Sequence, residues 1–326
     1  MAETNNKKVL VIGDSMADRY IYGKVEKVSK EAPIPVVEYE REELHLGGAA
    51  NVAVNMLNLG HEVSLCTLLG QDDGGARVKK MLEQMGVGLE HLFEEEERLT
   101  TTVTRFIAGN QVQIFRLDRE TKESLSLDRE QEILDYLEDH IGSYGMLVLT
   151  DYGGTMFSNK MSSTLVRFAK NNEVRVIASV KHDQPQRYAG VYLLKPELEI
   201  LASWANMKIE NERDTEIAMQ KMKGHLRVDN VLVDRGEDGL MLLDEAYQVH
   251  HYESECDNPV DITGSGATIM AVMGSFLIDG FDPKKSGKMA CLAASIKKGK
   301  LGTTVLDLEE LEEFEEEIET KEDKKV

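Results

Sequence analysis

Residues 261–268 read Asp-Ile-Thr-Gly-Ser-Gly-Ala-Thr and open an apolar run that continues to Asp279. Two glycines, Gly264 and Gly266, flank the small residue Ser265, a pattern typical of a tight turn that enters a helix. Such a turn aims backbone N–H groups and the positive end of the helix at one point, which favours a bound anion. We therefore predict an anion hole at these three residues. A buried helix also needs a tight entry, so a purely structural role for the turn stays open.

Strands and helices alternate along most of the chain on the N-terminal side of this turn. Short β-branched runs separated by longer helical patterns predict βαβ units and a mostly parallel sheet that is covered on both faces. The fold class is therefore α/β. The predicted strands are 8–13, 62–69, 146–150, 175–180, 191–194, 230–234 and 240–243. The predicted helices are 47–59, 76–85, 159–171, 268–279, 284–298 and 306–318.

Two segments break the alternation and predict a small antiparallel sheet, which we call the lid. Residues 34–40 alternate weakly, while 100–105 and 112–117 alternate around a hairpin turn at Ala108-Gly109-Asn110. A thin sheet cannot bury both of its faces alone. The lid is therefore expected to lie over a cleft, to pack on a second copy, or both.

The domain boundaries follow from these patterns. We expect one domain over residues 1–326, with the lid formed by about 19–46 and 98–119. The acidic stretch 307–326 is expected to form a C-terminal helix or tail whose charged face is solvated.

Composition excludes several classes of function. The formal net charge of −21 argues against a nucleic acid or an anionic membrane as the main partner. Three scattered cysteines without metal spacing suggest a reducing compartment. There is no early apolar signal segment and no apolar run of membrane-spanning length, so we expect a cytoplasmic protein without a membrane partner.

The chain resembles the ribokinase-like (PfkB) carbohydrate kinases, whose phosphate turn reads D-T-x-G-A-G-D. Within that family it is similar to the bacterial D-glycero-D-manno-heptose-7-phosphate kinases, which act on the way to ADP-heptose and surface glycans. The resemblance covers about residues 7–310 and implies a ribokinase-like fold with ATP and Mg²⁺ as cofactors. Its further motifs, in order, are Gly13–Tyr20, Ser29–Val37, Gly47–Ala53, Arg116–Asp118, Thr150–Tyr152, Arg187–Tyr188 and Gly299–Thr303.

One wall of the cleft is implied by the resemblance to bind a sugar phosphate. The two aspartates would accept hydrogen bonds from sugar hydroxyls, the glycines would let the backbone approach, and the two lid arginines would hold a phosphate in bidentate fashion. Ordinary roles as turn, helix-entry and exposed strand residues remain the alternative. The implied substrate-binding residues are Asp14, Asp18, Gly47, Gly48, Asn51, Arg105 and Arg116.

The family's catalytic base is the last Asp of the phosphate turn, which takes the proton from the attacking sugar hydroxyl. This chain has Ala267 at that position. A methyl group cannot accept a proton, and losing a positioned base costs about 10²- to 10⁴-fold in rate. Asp261, six residues upstream, is not an obvious replacement.

The magnesium side of the motif set is also altered. The family's N-x-x-E motif aligns with residues 197–200, where Glu197 replaces Asn and Ile200 replaces Glu. Glu199 is one position away, and on a helix that is a rotation of ~100°, so its side chain is expected to point elsewhere. Glu197 and Glu199 are therefore doubtful metal ligands.

The nucleotide side departs from the family too. Lys181 survives from a strand-end Asp-Pro-Lys, whereas Asp234 replaces a Thr that would face the phosphates and is expected to repel ATP. A lysine of the relatives is missing within 151–155. Lys297 and Lys298 replace apolar residues. The nucleotide-side positions implied by the resemblance are Lys181, Asp234, Gly236, Gly239 and Cys291, the last aligning with an Asn near the adenine.

Two hypotheses for function follow. The first is an impaired or inactive sugar-kinase homologue that binds a sugar phosphate or a partner subunit and acts as a sensor, scaffold or regulator. The second is an active ATP-dependent kinase of a heptose or hexose phosphate with an unorthodox base, and another transferase chemistry on the same scaffold is a further alternative. The lid predicts a homodimer, because in the relatives lids clasp each other across a two-fold axis. Pairing with an active kinase remains a variant.

Overall fold

The computed structural model of the chain describes residues 7–109, 112–153, 156–181, 183–256 and 258–323. Asn110 of the predicted hairpin turn lies outside these ranges, as do Gly154 and Thr155. Within them, every helix is too short or too polar to cross a membrane.

The elements of the described chain alternate as the sequence predicts. The strands are β1 (Lys8–Gly13), β2 (Ser15–Val28), β3 (Pro35–Gly48), β4 (Glu62–Gly70), β5 (Gly88–Glu95), β6 (Thr102–Ala108), β7 (Val112–Arg119), β8 (Met146–Asp151), β9 (Arg175–Val180), β10 (Leu193–Pro196), β11 (Asn230–Asp234), β12 (Leu240–Leu243) and β13 (Val249–Tyr252). The helices are α1 (Ala49–Asn58), α2 (Asp73–Met85), α3 (Leu127–His140), α4 (Asn159–Asn171), α5 (Leu198–Ala205), α6 (Glu212–Leu226), α7 (Ser265–Ile278), α8 (Pro283–Lys298) and α9 (Leu308–Asp323).

The large sheet has the strand order β13-β12-β11-β10-β9-β8-β1-β4-β5. Its pairings are parallel from β11 through to β5, and only β12 and β13 add antiparallel strands at one edge. The predicted mostly parallel sheet is therefore confirmed. In parallel sheets of this kind, ligands bind beyond the carboxyl ends of the strands, and this edge is where the predicted site residues lie.

Both faces of the sheet are buried, as β1 illustrates. Val9 and Val11 pack into the core that contains α1, α7 and α8, while Leu10 and Ile12 pack into the core on the other face, which contains α4 and α6. Side chains of a strand alternate between faces, so an unbroken apolar run is what a doubly covered strand requires.

The lid is a four-stranded sheet with the order β3-β2-β6-β7. The prediction that it is antiparallel is correct for β2 with β3 and for β6 with β7, but β2 and β6 run parallel. They can do so because α1, β4, α2 and β5 connect them, and parallel neighbours need such a long crossover. The first lid segment, 15–48, extends further than the predicted 19–46, whereas the strands of the second, 102–119, begin later than the predicted 98.

Among the described elements, β2, β5, β13, α3, α5 and α6 were not predicted as separate elements, although 19–46 was assigned to the lid. The C-terminal acidic helix is present as α9, slightly later than predicted. The predicted strand 191–194 is shifted to Leu193–Pro196, and this shift matters for the site.

Candidate functional site

The turn before α7 has the geometry that the sequence predicts. Gly264 is the N-cap with a left-handed φ of 85°, and Thr268 N donates to Gly264 O at 3.0 Å. The first N–H groups of a helix have no acceptor within it, so those of Gly266 and Ala267 point out of the turn. The Ser265 hydroxyl is buried and has no hydrogen-bond partner in the described part of the chain. We call Gly264, Ser265, Gly266 and Ala267 the cradle.

Lys195 approaches the cradle from the sheet and was missed by sequence reasoning. Its side chain is only 4% exposed, and a methyl group added to Gly266 would lie 3.7 Å from Lys195 Nζ. The ammonium group makes no hydrogen bond with any described residue. Burial lowers the pKa of Lys195, and the nearby carboxylates of Asp234 and Glu197 act in the opposite direction. A buried, unpaired cation beside a helix N-terminus is suited to an anion.

Strand register explains the position of Lys195. β10 continues past the predicted end, and Lys195 is the Cα partner of Ser179 on β9. Leu193, two residues earlier, packs into the core that contains α7. Because alternate side chains share a face, Lys195 points towards the same helix.

The catalytic-base position is occupied by a buried methyl group, since Ala267 is 5% exposed. Asp261 does not replace it. One of its oxygens accepts from Thr263 N and the other from Gly302 N, each at 2.9 Å. Burial alone would raise the pKa of Asp261, but these hydrogen bonds lower it. A carboxylate held ionised in this way is a poor proton acceptor.

Lys297 and Lys298 lie on either side of the same region. Lys297 is 2% exposed and donates to Lys300 O at 3.2 Å. Its Cε atom would be 3.6 Å from a methyl group at Gly264. Lys298 donates instead to Gly236 O at 2.6 Å. Lys297 therefore lies against the cradle, and Lys298 contacts the loop after β11 that contains Gly236.

We call the predicted substrate-binding residues, Asp14, Asp18, Gly47, Gly48, Asn51, Arg105 and Arg116, the sugar-side wall. Within it, Asp18 of β2 and Arg105 of β6 form a buried ion pair. Tyr20, the Cα partner of Arg105, donates from its hydroxyl to Asp18 Oδ2 at 3.4 Å. Burial lowers the pKa of Arg105 and Arg116 lowers it further, while Asp261 raises it. Arg105 of the lid is therefore close enough to Asp261, in the segment before the cradle, for their charges to interact. Asp18 is a lid-strand residue rather than a loop residue after β1.

Asn51 and Asp14 are held by neighbouring backbone and side chains. The Nδ2 atom of Asn51 would be 3.1 Å from a methyl group at Gly264, and Asn51 Oδ1 accepts from Asn55 Nδ2 at 2.7 Å. Asp14 Oδ1 accepts from Met156 N at 3.2 Å. Both predicted substrate residues thus have some of their hydrogen-bonding groups already used.

The two glycines of this wall are required by packing. A methyl group at Gly48, which has a φ of 63°, would lie 2.2 Å from Asp14 O. One at Gly47 would lie 2.5 Å from Met16 Cγ. The space beside these glycines, which we predicted a ligand would use, is therefore filled by atoms of the protein itself.

Arg116 differs from the buried pair in its exposure and its partner. It is the Cα partner of Arg105 on β7, but its side chain is 49% exposed and forms two hydrogen bonds to Asp118 at 2.7 and 2.9 Å. Binding of one phosphate by both lid arginines stays a prediction. Arg105 would have to interact with the phosphate and with Asp18 at the same time.

The predicted magnesium-side residues lie at the start of α5. Glu197 Oε1 forms an ion pair with Lys181 Nζ at 2.5 Å. Glu199 is exposed and lines a surface cavity of about 680 Å³ with Met207 and Lys208. Among the residues that the structure describes, no three His, Cys, Asp or Glu side chains are grouped to hold a metal ion.

The nucleotide-side residues mostly serve local structure. Asp234 Oδ1 accepts from Gly236 N at 3.0 Å. A methyl group at Gly239 would lie 2.0 Å from Tyr252 O, so this glycine is needed for packing. Cys291 is buried, and its thiol donates to the carbonyls of Tyr252 and Glu253.

Comparison with known proteins gives one family and one fold. The model of the family described as pfkB family carbohydrate kinase matches residues 6–310. The bifunctional protein HldE of Citrifermentans bemidjiense is 36% identical over 93% of this chain and 62% of its own length. HldE of a Nitratiruptor species is 33% identical over 95% of this chain and 65% of its own length. The chain thus spans about three fifths of the length of these relatives.

Solved structures show the same fold at low sequence identity. Arabidopsis thaliana ribokinase, complexed with ribose and ATP, superposes with a TM-score of 0.74 at 19% identity, over 95% of this chain and 98% of that one. Phosphofructokinase-2 from Escherichia coli, in complex with potassium, gives 0.80 at 14% identity with the same coverage. The ribokinase-like fold predicted from the motifs is confirmed.

Proposed function

Because the chain belongs to the pfkB family of carbohydrate kinases, we propose that it binds a sugar phosphate and that its ability to transfer a phosphoryl group is impaired. The proposal has two halves. One concerns the sugar-side wall and the cradle, whose binding groups are kept. The other concerns the base and the metal-side residues, whose chemistry is lost.

The sugar-side wall supports the first half. Asp18 and Arg105 form a buried ion pair at the base of the lid. Burying two charges is costly unless they are paired and further hydrogen bonded. The hydroxyl groups of a bound sugar would supply such additional hydrogen bonds to this pair. Sugar hydroxyls can both donate to Asp18 and accept from Arg105.

The cradle supports the same half, because it offers charge to a phosphate. It combines the free N–H groups of a helix N-terminus, the buried hydroxyl of Ser265 and the unpaired ammonium of Lys195. Buried groups without partners cost free energy in the empty protein. A phosphate oxygen would satisfy them together.

The observation that carries the second half is the buried methyl of Ala267 with Asp261 unable to act in its place. Both Asp261 oxygens accept backbone N–H bonds, and its pKa is lowered. The family reaction needs a base for the sugar hydroxyl as well as charge stabilisation. The cradle supplies only the second of these.

The residues present do not fit the family's Mg²⁺. Magnesium requires oxygen ligands in a near-octahedral arrangement, yet Glu197 is paired with Lys181 and Glu199 is exposed on the outer side of α5. ATP fits in part, since the cradle suits a phosphate group while the Asp234 carboxylate repels one.

The alternative, an active sugar kinase of low turnover, is favoured by one observation. Lys195 lies at the phosphate turn, and its ammonium makes no hydrogen bond with a residue that the structure describes. Such a group could stabilise a transferring phosphoryl group. A water-mediated base would then have to replace the missing Asp.

Calorimetric titration tests the proposal. The protein is titrated separately with MgATP, with heptose phosphates and with hexose phosphates, and ADP release is followed in a coupled assay. We expect sugar-phosphate binding, weak or absent MgATP binding, and no ADP release above that of an Asp18→Asn/Lys195→Met double variant. Turnover at a rate ordinary for a sugar kinase would establish the alternative, and absence of sugar-phosphate binding would overturn the first half.

Assembly as a homodimer through the lid is a further part of the proposal. β7 carries exposed apolar side chains, including Val112, Phe115 and Leu117. Such a patch marks an interaction surface, and the same lid surface could pair instead with an active kinase.

We also propose a cytoplasmic location without nucleic-acid or membrane partners, supported by free Cys66, Cys256 and Cys291 and by the net charge of −21.

A further inference from the structure

Lys297 is a buried cation that the proposed sugar-phosphate site does not itself require. It lies at the C-terminal end of α8 with 2% of its surface exposed. Its ammonium donates to Lys300 O at 3.2 Å, and its Cε atom packs against Gly264. A lysine is almost never fully buried without a reason for its charge.

The surroundings of Lys297 connect three segments of backbone. Asp261, before α7, accepts from Thr263 N on one oxygen and from Gly302 N on the other. Lys297 is attracted to Asp261 and donates into the same 300–302 loop. The Thr303 methyl would lie 2.9 Å from a methyl group at Gly264. Ammonium, carboxylate and loop thus surround the residue that begins the cradle.

We propose that Lys297 is a positioning residue for anion binding: its charged ammonium fixes the cradle turn against the 300–302 loop and supplies positive potential behind the helix N-terminus. The proposal rests on the proposed function, because it concerns the anion that the cradle binds. Lys195 acts at the front of the turn, beside Gly266, and Lys297 acts at the back, beside Gly264.

The charge of Lys297 is set by few groups. Burial lowers the pKa of Lys297 to about 8, Asp261 from the segment before α7 opposes this, and Lys300 from the following loop adds to it. Asn51 from α1 and Thr303 from the C-terminal loop, which pack against the same Gly264, are neutral. Lys297 is therefore charged at neutral pH and loses its proton in mildly alkaline solution.

Stability and anion affinity then respond to pH in opposite directions. The unfolded lysine binds its proton more tightly than the folded one, so deprotonation above about pH 8 favours the folded state until the unfolded pKa of roughly 10.5 is passed. Anion affinity should fall over the same range, because the binding-competent fraction decreases. A residue that only filled space would produce neither change.

Inorganic sulfate is the probe, because its charge is constant between neutral and alkaline pH. Sulfate affinity is measured by calorimetry at about pH 7 and about pH 9.5 for the wild type, Lys297→Arg, Lys297→Met and Lys298→Met. With a pKa near 8, the wild type should lose at least about tenfold in affinity across this range. Lys297→Arg should lose clearly less than the wild type, with the remaining loss due to Lys195, whose pKa is also lowered by burial. Lys297→Met should bind weakly at both values, and Lys298→Met should behave as the wild type.

The outcomes separate the two proposals. Equal sulfate affinity of the wild type and Lys297→Met at neutral pH, or the same pH profile in Lys297→Arg, would overturn the role of Lys297 while leaving the cradle intact. No sulfate binding by the wild type at any pH would overturn the cradle, and the role of Lys297 with it. Thermal unfolding of each variant identifies any that fails to fold, and Lys297→Met is expected to be at least as stable as the wild type.

Discussion

The ammonium of Lys195 faces Gly266 from the carboxyl end of the sheet, so near that a methyl group on the glycine would lie 3.7 Å from Nζ. The contact joins a strand and a helix that are about 70 residues apart in the sequence. It places a fixed positive charge at the entrance of the cradle and accounts for much of what we expect the site to do.

Substituting Lys195→Met should weaken anion binding and strengthen the fold. It removes a buried charge whose pKa is lowered by burial, and such a charge destabilises the protein that carries it. We expect sulfate affinity to fall at least about tenfold, or ~1.4 kcal/mol, while the melting temperature rises. Calorimetry and thermal unfolding measure the two effects. Lys208→Met, on the exposed loop after α5, is the control and should change neither.

Restoring the carboxylate with Ala267→Asp should not restore activity. Position 267 is 5% exposed, so the new buried carboxylate would depend on the helix N-terminus and on Lys195 for compensation. The metal-side ligands would still be missing, so ADP release with a sugar phosphate should change less than about tenfold. A rise of 10²-fold or more, in the range expected from a general base, would mean that the remaining machinery is intact.

Breaking the pair of Asp18 and Arg105 should be costly, because both partners are buried. Arg105→Met leaves a buried carboxylate without its ion-pair partner, and we expect a loss of roughly 3–5 kcal/mol in the free energy of unfolding. The exposed pair of Arg116 and Asp118 is the matched control, and Arg116→Met should cost about 0–1 kcal/mol. Urea denaturation compares the variants. Equal costs would show that burial of the first pair is not maintained in solution.

Introducing a charge at Phe115 should dissociate the proposed dimer. The side chain is 59% exposed on β7, where a partner lid would cover it. Placing a carboxylate in such an interface should raise the dissociation constant at least about tenfold. Light scattering at micromolar concentration would show Phe115→Glu as a monomer, with Leu127→Glu on α3 unchanged. A monomeric wild type would contradict the prediction.

Acid should destabilise the protein in part through His91. Burial lowers the pKa of His91 to about 4, against opposition from Glu90 and with smaller contributions from His140 and Lys8. Below about pH 6.5 the imidazole is protonated in the unfolded state but stays neutral in the folded state. The free energy of unfolding therefore decreases as the pH falls towards 4. Replacement by Gln removes this titration. We expect the wild type to lose about 2 kcal/mol more than His91→Gln between neutral pH and pH 4.5, measured by urea denaturation.

Local patterns predicted the sheet and the cradle turn because their causes are local. The glycines around Ser265 set the backbone of the turn, and the apolar runs of β1, β8, β9 and β11 reflect burial on both faces. A signal for α3 was also present, since Ser126 caps it by accepting from Arg129 N and apolar residues recur at helical spacing behind it.

Long-range pairing explains what the sequence did not reveal. Lys195 follows an apolar run as an ordinary strand-end residue, and only the register of β10 with β9 turns it towards α7. The parallel pairing of β2 with β6 likewise depends on which distant segments meet. The contact of Asn51 with Gly264 is likewise not encoded in spacing along the chain.

The steric demands at Gly48 and Gly239 carry a consequence for how members of this family are recognised. Each is fixed by a carbonyl of its own chain, Asp14 O and Tyr252 O, that leaves no room for a larger residue. Folding alone therefore requires glycine at these positions, whether or not the protein transfers phosphoryl groups. A match at them identifies the fold and does not distinguish an active kinase from an inactive homologue.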